Sequence, residues 1–242
     1  MGALYWISVR QLTGRSRMII IGVLAIVPVL LGLIVRLNSG SPDGPSPGNL
    51  DQVLVALLFG AAVLPIITLT VSTAAMGNDL EDRTLSNLTL TPFSRWAIIL
   101  PKYAASVTVA GVPLLVSAIV GLNLAYDADS QAVTAAVLAM ALAIATYSAV
   151  FLWLGLATGR SLGFGLMYVF VWEFLFTQFV SGLRFLSIRA YMIGVIRGID
   201  DRRFAEDADK VISMPISLSV LIALTVVFTI LAIRRLRTMD VP

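Results

Sequence analysis

Hydrophobic residues of this chain occur in long unbroken runs that short polar segments separate. A helix needs about 20 apolar residues to cross a bilayer, at about 1.5 Å per residue. Strands of a membrane barrel are half as long and alternate in polarity, so runs of this kind are typical of helices. Six runs reach or approach the required length: residues 18–37, 53–76, 103–126, 132–157, 162–180 and 215–233. The pattern predicts an all-α polytopic membrane protein with six transmembrane helices, forming a single transmembrane domain over residues 1–242.

The amino-acid composition agrees with lipid as the solvent. Hydrophobic residues make up 58% of the chain and charged residues 13%, with a mean hydropathy of +0.93. Soluble domains contain about a quarter charged residues and about half apolar residues. A chain of this length folded in water could not bury so large an apolar fraction, whereas each run can bury itself in hydrocarbon.

Two missing residue types narrow the chemistry. The chain has no Cys, which excludes disulfides and thiolate chemistry, and no His, which removes the commonest general base and metal ligand. We therefore expect no catalytic residue and no metal site. The net charge of +3 comes from Lys and Arg that lie between the hydrophobic runs rather than in one stripe. This distribution favours membrane lipid over nucleic acid as the partner of the basic residues.

Lys and Arg in the loops predict the orientation. If the N-terminus is cytoplasmic, ten of them lie on the cytoplasmic side and seven on the other side. Six of those seven lie in the long outer loop 181–214, which also contains five acidic residues. We therefore expect a protein of the cytoplasmic membrane with both termini cytoplasmic.

The first 17 residues combine aromatic and basic side chains. Tyr5 and Trp6 lie close to Arg10 and Arg15, a combination typical of an amphipathic helix at a membrane surface. The pattern predicts such a helix at the inner interface, and the alternative is a disordered basic tail.

The polar segment after the second run predicts a short helix over residues 79–91. Asn78 is a fair N-cap, and three acidic residues follow it, where the helix dipole favours negative charge. Pro92 ends the helix at or before Thr91. At helical spacing one side carries Leu80, Thr84, Leu85 and Leu88, and the other carries Asp79, Asp82, Arg83, Ser86 and Asn87. This pattern leaves two interpretations open: a surface helix resting on lipid, or a docking element for a cytoplasmic partner.

The same segment resembles the signature of ABC-2 type transporter permeases. That family shows Glu-x-Glu-x-Gly-Thr-Leu, then Thr-Pro-x-Ser-Arg, then a Lys that opens the next span. The chain has Asp79-Leu-Glu81-Asp-Arg-Thr84-Leu85, then Thr91-Pro92-Phe-Ser94-Arg95, then Lys102, without a gap over 24 residues. The segment also follows the second span, as it does in the family. The chain departs from the family pattern at Asp79, which replaces the first Glu, and at Arg83, which replaces the Gly.

The resemblance implies the membrane-spanning subunit of an ATP-driven exporter. Helix 79–91 would then be a coupling helix that seats in a separate ATPase subunit, which binds ATP and Mg. A second permease copy, or a related permease, would complete a dimer. The resemblance also implies an interfacial N-terminal helix and an outer loop 181–214 that re-enters the membrane. The residues assigned to ATPase coupling are Asp79, Leu80, Glu81, Asp82, Arg83, Thr84, Leu85, Leu88, Pro92 and Arg95.

The sequence itself contributes two further observations on function. No Gly-x-x-x-x-Gly-Lys-Ser/Thr loop is present, so a nucleotide site of that kind has to be on another chain. Glu173 lies beside Trp172 inside the fifth run, where a charge is costly and faces protein or water. These two residues are candidates for a substrate path or gate, and the alternative is a hydrogen bond between helices.

Two other functions remain as alternatives to the exporter. One is an ATP-independent membrane transporter or scaffold. The other is an intramembrane enzyme, which the lack of His and Cys disfavours.

Overall fold

The computed structural model describes residues 2–38, 47–81, 95–158, 160–171, 185–205 and 211–238. Of these residues 91% are helical and none is in a strand, which confirms the all-α class. The helices are α1 (Gly2–Leu12), α2 (Arg15–Asn38), α3 (Pro47–Leu50), a π-helix (Asp51–Val63), α4 (Leu64–Glu81), α5 (Trp96–Ala125), α6 (Ser130–Ala157), α7 (Ser161–Met167), α8 (Ile188–Ile199) and α9 (Met214–Thr238).

Five helices in the described part of the chain are long and apolar enough to cross a membrane. They are α2, the continuous helix Asp51–Gly77, α5, α6 and α9, and they contain or overlap five of the six predicted runs. For the run at 162–180 the structure describes a shorter apolar helix, Ser161–Val171, and residues 172–180 lie outside the described residues. The chain is therefore a multi-pass helical membrane protein.

The second span changes its type of helix halfway. The backbone N–H of Leu64 donates to the carbonyl of Phe59, five residues earlier, as in the preceding π-helix. The next residue, Pro65, has no N–H and cannot extend either hydrogen-bonding pattern. The change to α-helix therefore occurs where one donor is missing in any case.

The segment after the second span does not start a new helix where the sequence predicts one. We expected a helix start at Asn78, but α4 continues without a break through Glu81. A capping preference is weak, and each further residue of an existing helix gains a backbone hydrogen bond without a new nucleation step. The local signal at Asn78 is therefore overridden by the helix that precedes it.

Helices α2 and α5 run in the same direction and cross closely. A Cβ added at Gly32 would overlap the carbonyl oxygen of Gly121, and a Cβ at Gly121 would lie 2.9 Å from the carbonyl oxygen of Pro28. One turn earlier, the hydroxyl of Ser117 donates to the carbonyl of Ala25. Small residues allow this approach, as is usual between helices in membranes.

Helix α6 is the centre of the bundle. Its Gly155 packs against the backbone of Thr73 in α4. On the α9 side the Thr146 hydroxyl lies 3.1 Å from that of Thr225, and Trp153 meets Phe228 edge-on. In the most apolar stretch of α6, 67% of residues are buried, against 22% in α2 and in α9. Helices α2 and α9 are therefore peripheral and present apolar surface outward.

The direction of the helices defines two ends of the bundle. The "Asp51 end" contains the start of the π-helix, the turn between α5 and α6, and the start of α9. The "Arg15 end" contains the start of α2, the ends of α4, α6 and α9, and the start of α5.

The first residues form a helix that packs on the bundle. In α1, Ser8 and Leu12 are buried, and the Tyr5 hydroxyl donates to Thr108 of α5 at 3.2 Å. Trp6, on the other face, is 70% exposed. Residues 2–12 are therefore a docked helix rather than a disordered tail.

The close crossing of α2 and α5 gives a stability prediction. We expect Gly32→Ala to destabilise the protein by roughly 1–3 kcal/mol, because the added methyl group overlaps backbone that cannot move aside. The matched control is Gly22→Ala on the same helix, where a Cβ would meet no atom within 4 Å. Thermal unfolding of the detergent-solubilised protein measures both variants. Equal effects of the two would show that the crossing does not limit stability.

Candidate functional site

The sequence-predicted site residues are only partly within the described structure. Asp79, Leu80 and Glu81 belong to the last turn of α4, and Arg95 directly precedes α5. The remaining coupling residues, Asp82, Arg83, Thr84, Leu85, Leu88 and Pro92, lie outside the described residues, as do Trp172 and Glu173. The docking function of residues 79–91 therefore stays a prediction.

Helices α4 and α5, which flank residues 82–94, are joined by a buried lysine. Lys102 is 3% exposed, and its Nζ donates to the carbonyl of Ala75 at 2.8 Å. At the start of α5, a buried Nη1 atom of Arg95 has no hydrogen-bond partner among the residues that the structure describes. The Lys102 contact holds α4 beside the beginning of α5. The two helices that flank residues 82–94 are therefore fixed to each other.

A second polar site lies at the Asp51 end, and sequence reasoning did not predict it. Asp51 is 2% exposed at the start of the π-helix. Its Oδ1 accepts hydrogen bonds from the Tyr126 hydroxyl at 2.6 Å and from Nη1 of Arg203 at 3.3 Å. Its Oδ2 accepts from the backbone N–H of Phe204 at 3.2 Å. One carboxylate therefore joins three segments that are far apart in sequence.

Two adjacent arginines complete this site. Arg203 lies 3.2 Å from Asp129 and 3.5 Å from Asp200, and its guanidinium carbon is 4.1 Å from the centre of the Tyr126 ring. Arg202 pairs with Asp200 at 2.8 Å and with Asp129 at 3.0 Å. We call these residues the Asp51 cluster: Asp51, Tyr126, Asp129, Asp200, Arg202 and Arg203.

The pKa values of the cluster follow from these contacts. Hydrogen bonds from Arg202 hold the pKa of Asp200 below its ordinary value despite burial. Burial pushes the pKa of Asp129 upward, but backbone N–H groups of α6 and both arginines outweigh it and lower the pKa. Burial and the nearby Asp51 raise the pKa of the Tyr126 hydroxyl, which therefore remains a proton donor.

Unusual backbone conformations occur on two segments of the cluster. Among the described non-glycine residues, those with positive φ are Asp127 at 50°, Ala128 at 62° and Phe204 at 54°. The first two directly precede Asp129, and the third follows Arg203. An aromatic or alanine residue rarely adopts this conformation, and it persists only where surrounding contacts hold it.

The cluster is suited to joining segments rather than to catalysis. Its carboxylates are already occupied by arginines and by a tyrosine. Within the described ranges, no group of three or more His, Cys, Asp or Glu side chains could hold a metal ion. One sequence signal was available: Asp51 is the acid that opens an apolar span, and the pair Arg202-Arg203 is a possible partner. The spacing of these residues in the sequence did not indicate that Asp51 and the two arginines are in contact.

No protein-family model matches this chain, and no curated protein matches its sequence. A function for the chain has to be argued from its motif and its geometry.

The cluster predicts how stability depends on pH. A carboxyl group whose folded pKa is lowered stabilises the fold above its unfolded pKa of about 3.9, and this contribution is lost as pH falls through the folded pKa. For Asp200 and Asp129 we therefore expect the unfolding temperature of the solubilised protein to start dropping as pH falls below about 5 and to keep dropping through their lowered folded pKa values.

Asp200→Asn separates this contribution from general acid effects. We expect a lower unfolding temperature at neutral pH, because Arg202 loses its closest partner, and a smaller further drop in acid. The exposed neighbour Asp201 gives the control Asp201→Asn, which should follow the native curve. An unchanged acid-induced drop in the Asp200 variant would contradict the assignment.

Proposed function

We propose that this chain is the transmembrane permease subunit of an ATP-driven ABC-2 type exporter. The observation that carries the proposal is the ungapped run from Asp79 to Lys102, with its Thr-Leu and Thr-Pro-Phe-Ser-Arg elements, directly after the second span. A separate ATPase subunit binds ATP and Mg, and the coupling helix 79–91 receives its motion. The permease converts that motion into substrate translocation across the cytoplasmic membrane.

The flanking helices support this mechanism. A push on a segment tilts the spans only if the segment is firmly attached to them. Its first residues continue α4 through Glu81, and the buried bond from Lys102 to Ala75 ties α4 to α5. A force on residues 82–94 therefore reaches two membrane helices together.

The path of the chain supports six crossings. Helix α6 ends at the Arg15 end, whereas α9 runs parallel to α6 and starts at the Asp51 end. The two parallel contacts are Thr146 with Thr225 and Trp153 with Phe228. The chain therefore returns from the Arg15 end to the Asp51 end between α6 and α9, and we propose that the run 162–180 makes this crossing.

The proposal also assigns positions to the N-terminal helix, the outer loop, a second permease and the two termini. The N-terminal helix α1 lies at the inner interface, with Trp6 and Arg10 exposed for lipid contact. The outer loop 181–214 re-enters the membrane through α8, whose Arg189 and Met192 reach Gly60, nine residues into the second span. A second permease copy or a related permease completes the transport path, because six helices enclose little space. Both termini are cytoplasmic.

An ATP-independent transporter or scaffold is the second candidate. It is favoured by the departures from the family pattern at Asp79 and Arg83 and by the absence of a matching family model. The two candidates differ in whether an ATPase sits on residues 79–91.

Site-specific photocrosslinking in native membranes tests the coupling function. With the crosslinking residue at Leu85, we expect a covalent product with an ABC ATPase subunit, identified by mass spectrometry. The control position is the exposed Asp201 at the other end of the bundle, where no ATPase product should form. Glu81→Arg should weaken the product at position 85, because it reverses a charge in the docking element. Lipid-only or solvent-only products at position 85 would refute the coupling function.

The absence of native cysteine makes the topology directly measurable. We introduce single cysteines at the exposed positions Thr13, Arg160 and Asp201 and treat intact cells with a membrane-impermeant maleimide. Position 201 should react in intact cells, and positions 13 and 160 only after permeabilisation. If positions 160 and 201 react from the same side, the crossing between them does not exist.

A further inference from the structure

We propose that α1 and the beginning of α2 form a binding site for an anionic phospholipid, whose headgroup phosphate pairs with Arg10, Arg15 and Arg17. We call residues 2–17 the N-terminal arm. The inference rests on the chain being a membrane protein and on the contacts of this arm, not on an ATPase partner. It can therefore hold or fail independently of the proposed function.

The N-terminal arm is held against the bundle by one face of α1 only. Leu12 is buried, and the Tyr5 hydroxyl donates to Thr108 of α5. The other face carries Trp6 and Ile7, which are 70% and 54% exposed. A helix that is docked on one side and leaves large apolar side chains uncovered on the other is suited to lie against lipid.

The first span gives the depth of the arm in the membrane. Helix α2 begins at Arg15, and its apolar run starts three residues later at Met18. Ile19 and Ile20 are 58% and 50% exposed, so this run faces outward into hydrocarbon from its first turn. At about 1.5 Å per residue, Arg15 lies about 5 Å outside the hydrocarbon. That is the depth at which basic side chains meet lipid headgroups.

The charge of the arm has one sign and no partner within the described structure. Arg10, Arg15 and Arg17 lie within eight residues, and the first acidic residue of the chain is Asp43. The ion pairs between described residues are at the Asp51 end, and none of them involves these three arginines. A buried Nη1 atom of Arg17 also has no hydrogen-bond acceptor in the part of the chain that the structure describes. A buried donor without an acceptor is costly, so the arm fits a ligand that brings anionic oxygens.

An anionic phospholipid supplies both things that the arm lacks. Its phosphate accepts hydrogen bonds from the guanidinium groups, which match a phosphate with two parallel N–H donors. Its acyl chains cover Trp6 and Ile7. A zwitterionic lipid has the same phosphate, but its own cation competes with the arginines, so the site prefers a lipid with net negative charge. A soluble phosphate would leave the two apolar side chains uncovered.

Quenching of a fluorophore on the arm measures this preference. Ile7→Cys in the cysteine-free chain is labelled with bimane, and the protein is placed in phosphatidylcholine nanodiscs. Equal fractions of a lipid with a nitroxide quencher high on its acyl chain are added, either as phosphatidylglycerol or as phosphatidylcholine. We expect a relative affinity roughly fivefold higher for phosphatidylglycerol, because each basic residue near a membrane surface contributes a factor of that order. Arg15→Gln together with Arg17→Gln should bring the ratio of affinities close to that of two equal lipids.

Three controls separate a site from general positive charge. Arg235→Gln with Arg237→Gln removes two exposed arginines from the same end of the bundle and should leave the ratio unchanged. A reporter at Ile222→Cys, which is 50% exposed on α9, should show no preference. Arg15→Lys with Arg17→Lys keeps the charge and should keep most of the preference, which distinguishes loss of charge from loss of structure.

Four results would overturn the proposal. The first is equal quenching by the two lipids with the native arm. The second is a ratio that falls as far in the variant at positions 235 and 237, which means a general surface potential. The third is a preference lost with both Gln and Lys at positions 15 and 17, which means that charge does not recognise the lipid. The fourth is a preference abolished by inorganic phosphate but not by chloride at the same ionic strength, which means that the ligand is a soluble phosphate.

Discussion

The arrangement of the Asp51 end depends on one buried carboxylate. Asp51 opens an apolar helix and lies away from water, so its charge requires donors from the protein. Removing one partner of a buried ion pair costs about 3–5 kcal/mol, which exceeds what most single contacts contribute. The donors come from Tyr126, Arg203 and Phe204. The turn between α5 and α6 and the segment after α8 are therefore held by Asp51 in addition to the burial of Tyr126 and Phe204 in the apolar core.

The rest of the bundle follows a different rule. Apolar side chains gain little by leaving lipid for one another, so helices associate where small residues let their backbones approach. Gly32 with Gly121 joins α2 to α5, and Gly155 with Thr73 joins α6 to α4. These contacts fix the spacing of the helices but do not by themselves distinguish one end of the molecule from the other. That distinction comes from the polar groups, with Asp51 at one end and Lys102 at the other.

These two rules explain how much the sequence could predict. Five spans were predicted closely, as at 132–157 against Ser130–Ala157, because the length of a span is set by the membrane and is visible as an apolar run. The π-helix was not predictable, because a continuous apolar run satisfies its backbone in either helix type. The helix start at Asn78 was predicted wrongly, because a local cap competes poorly with an existing helix.

The Asp51 cluster was not predicted from the sequence for a different reason. Its members are separated by up to 152 residues, from Asp51 to Arg203, and nothing in local periodicity indicates such a pairing. The coupling segment was the opposite case, since its residues are contiguous and form a pattern that can be recognised without a structure. Long-range charge pairs need the fold before they can be seen.

The second span connects these two kinds of site. Its first residue is Asp51, and its last turn leads into the residues that resemble a coupling helix. The Lys102 contact with Ala75 ties its Arg15 end to α5, and the Arg203 contact with Asp51 ties its other end to the segment after α8. Under the proposed function, a displacement of the Arg15 end therefore reaches Asp51 through one continuous helix. Pro65 divides that helix, because its missing N–H lies where the π-helix that begins at Asp51 gives way to the α-helix that ends beside α5.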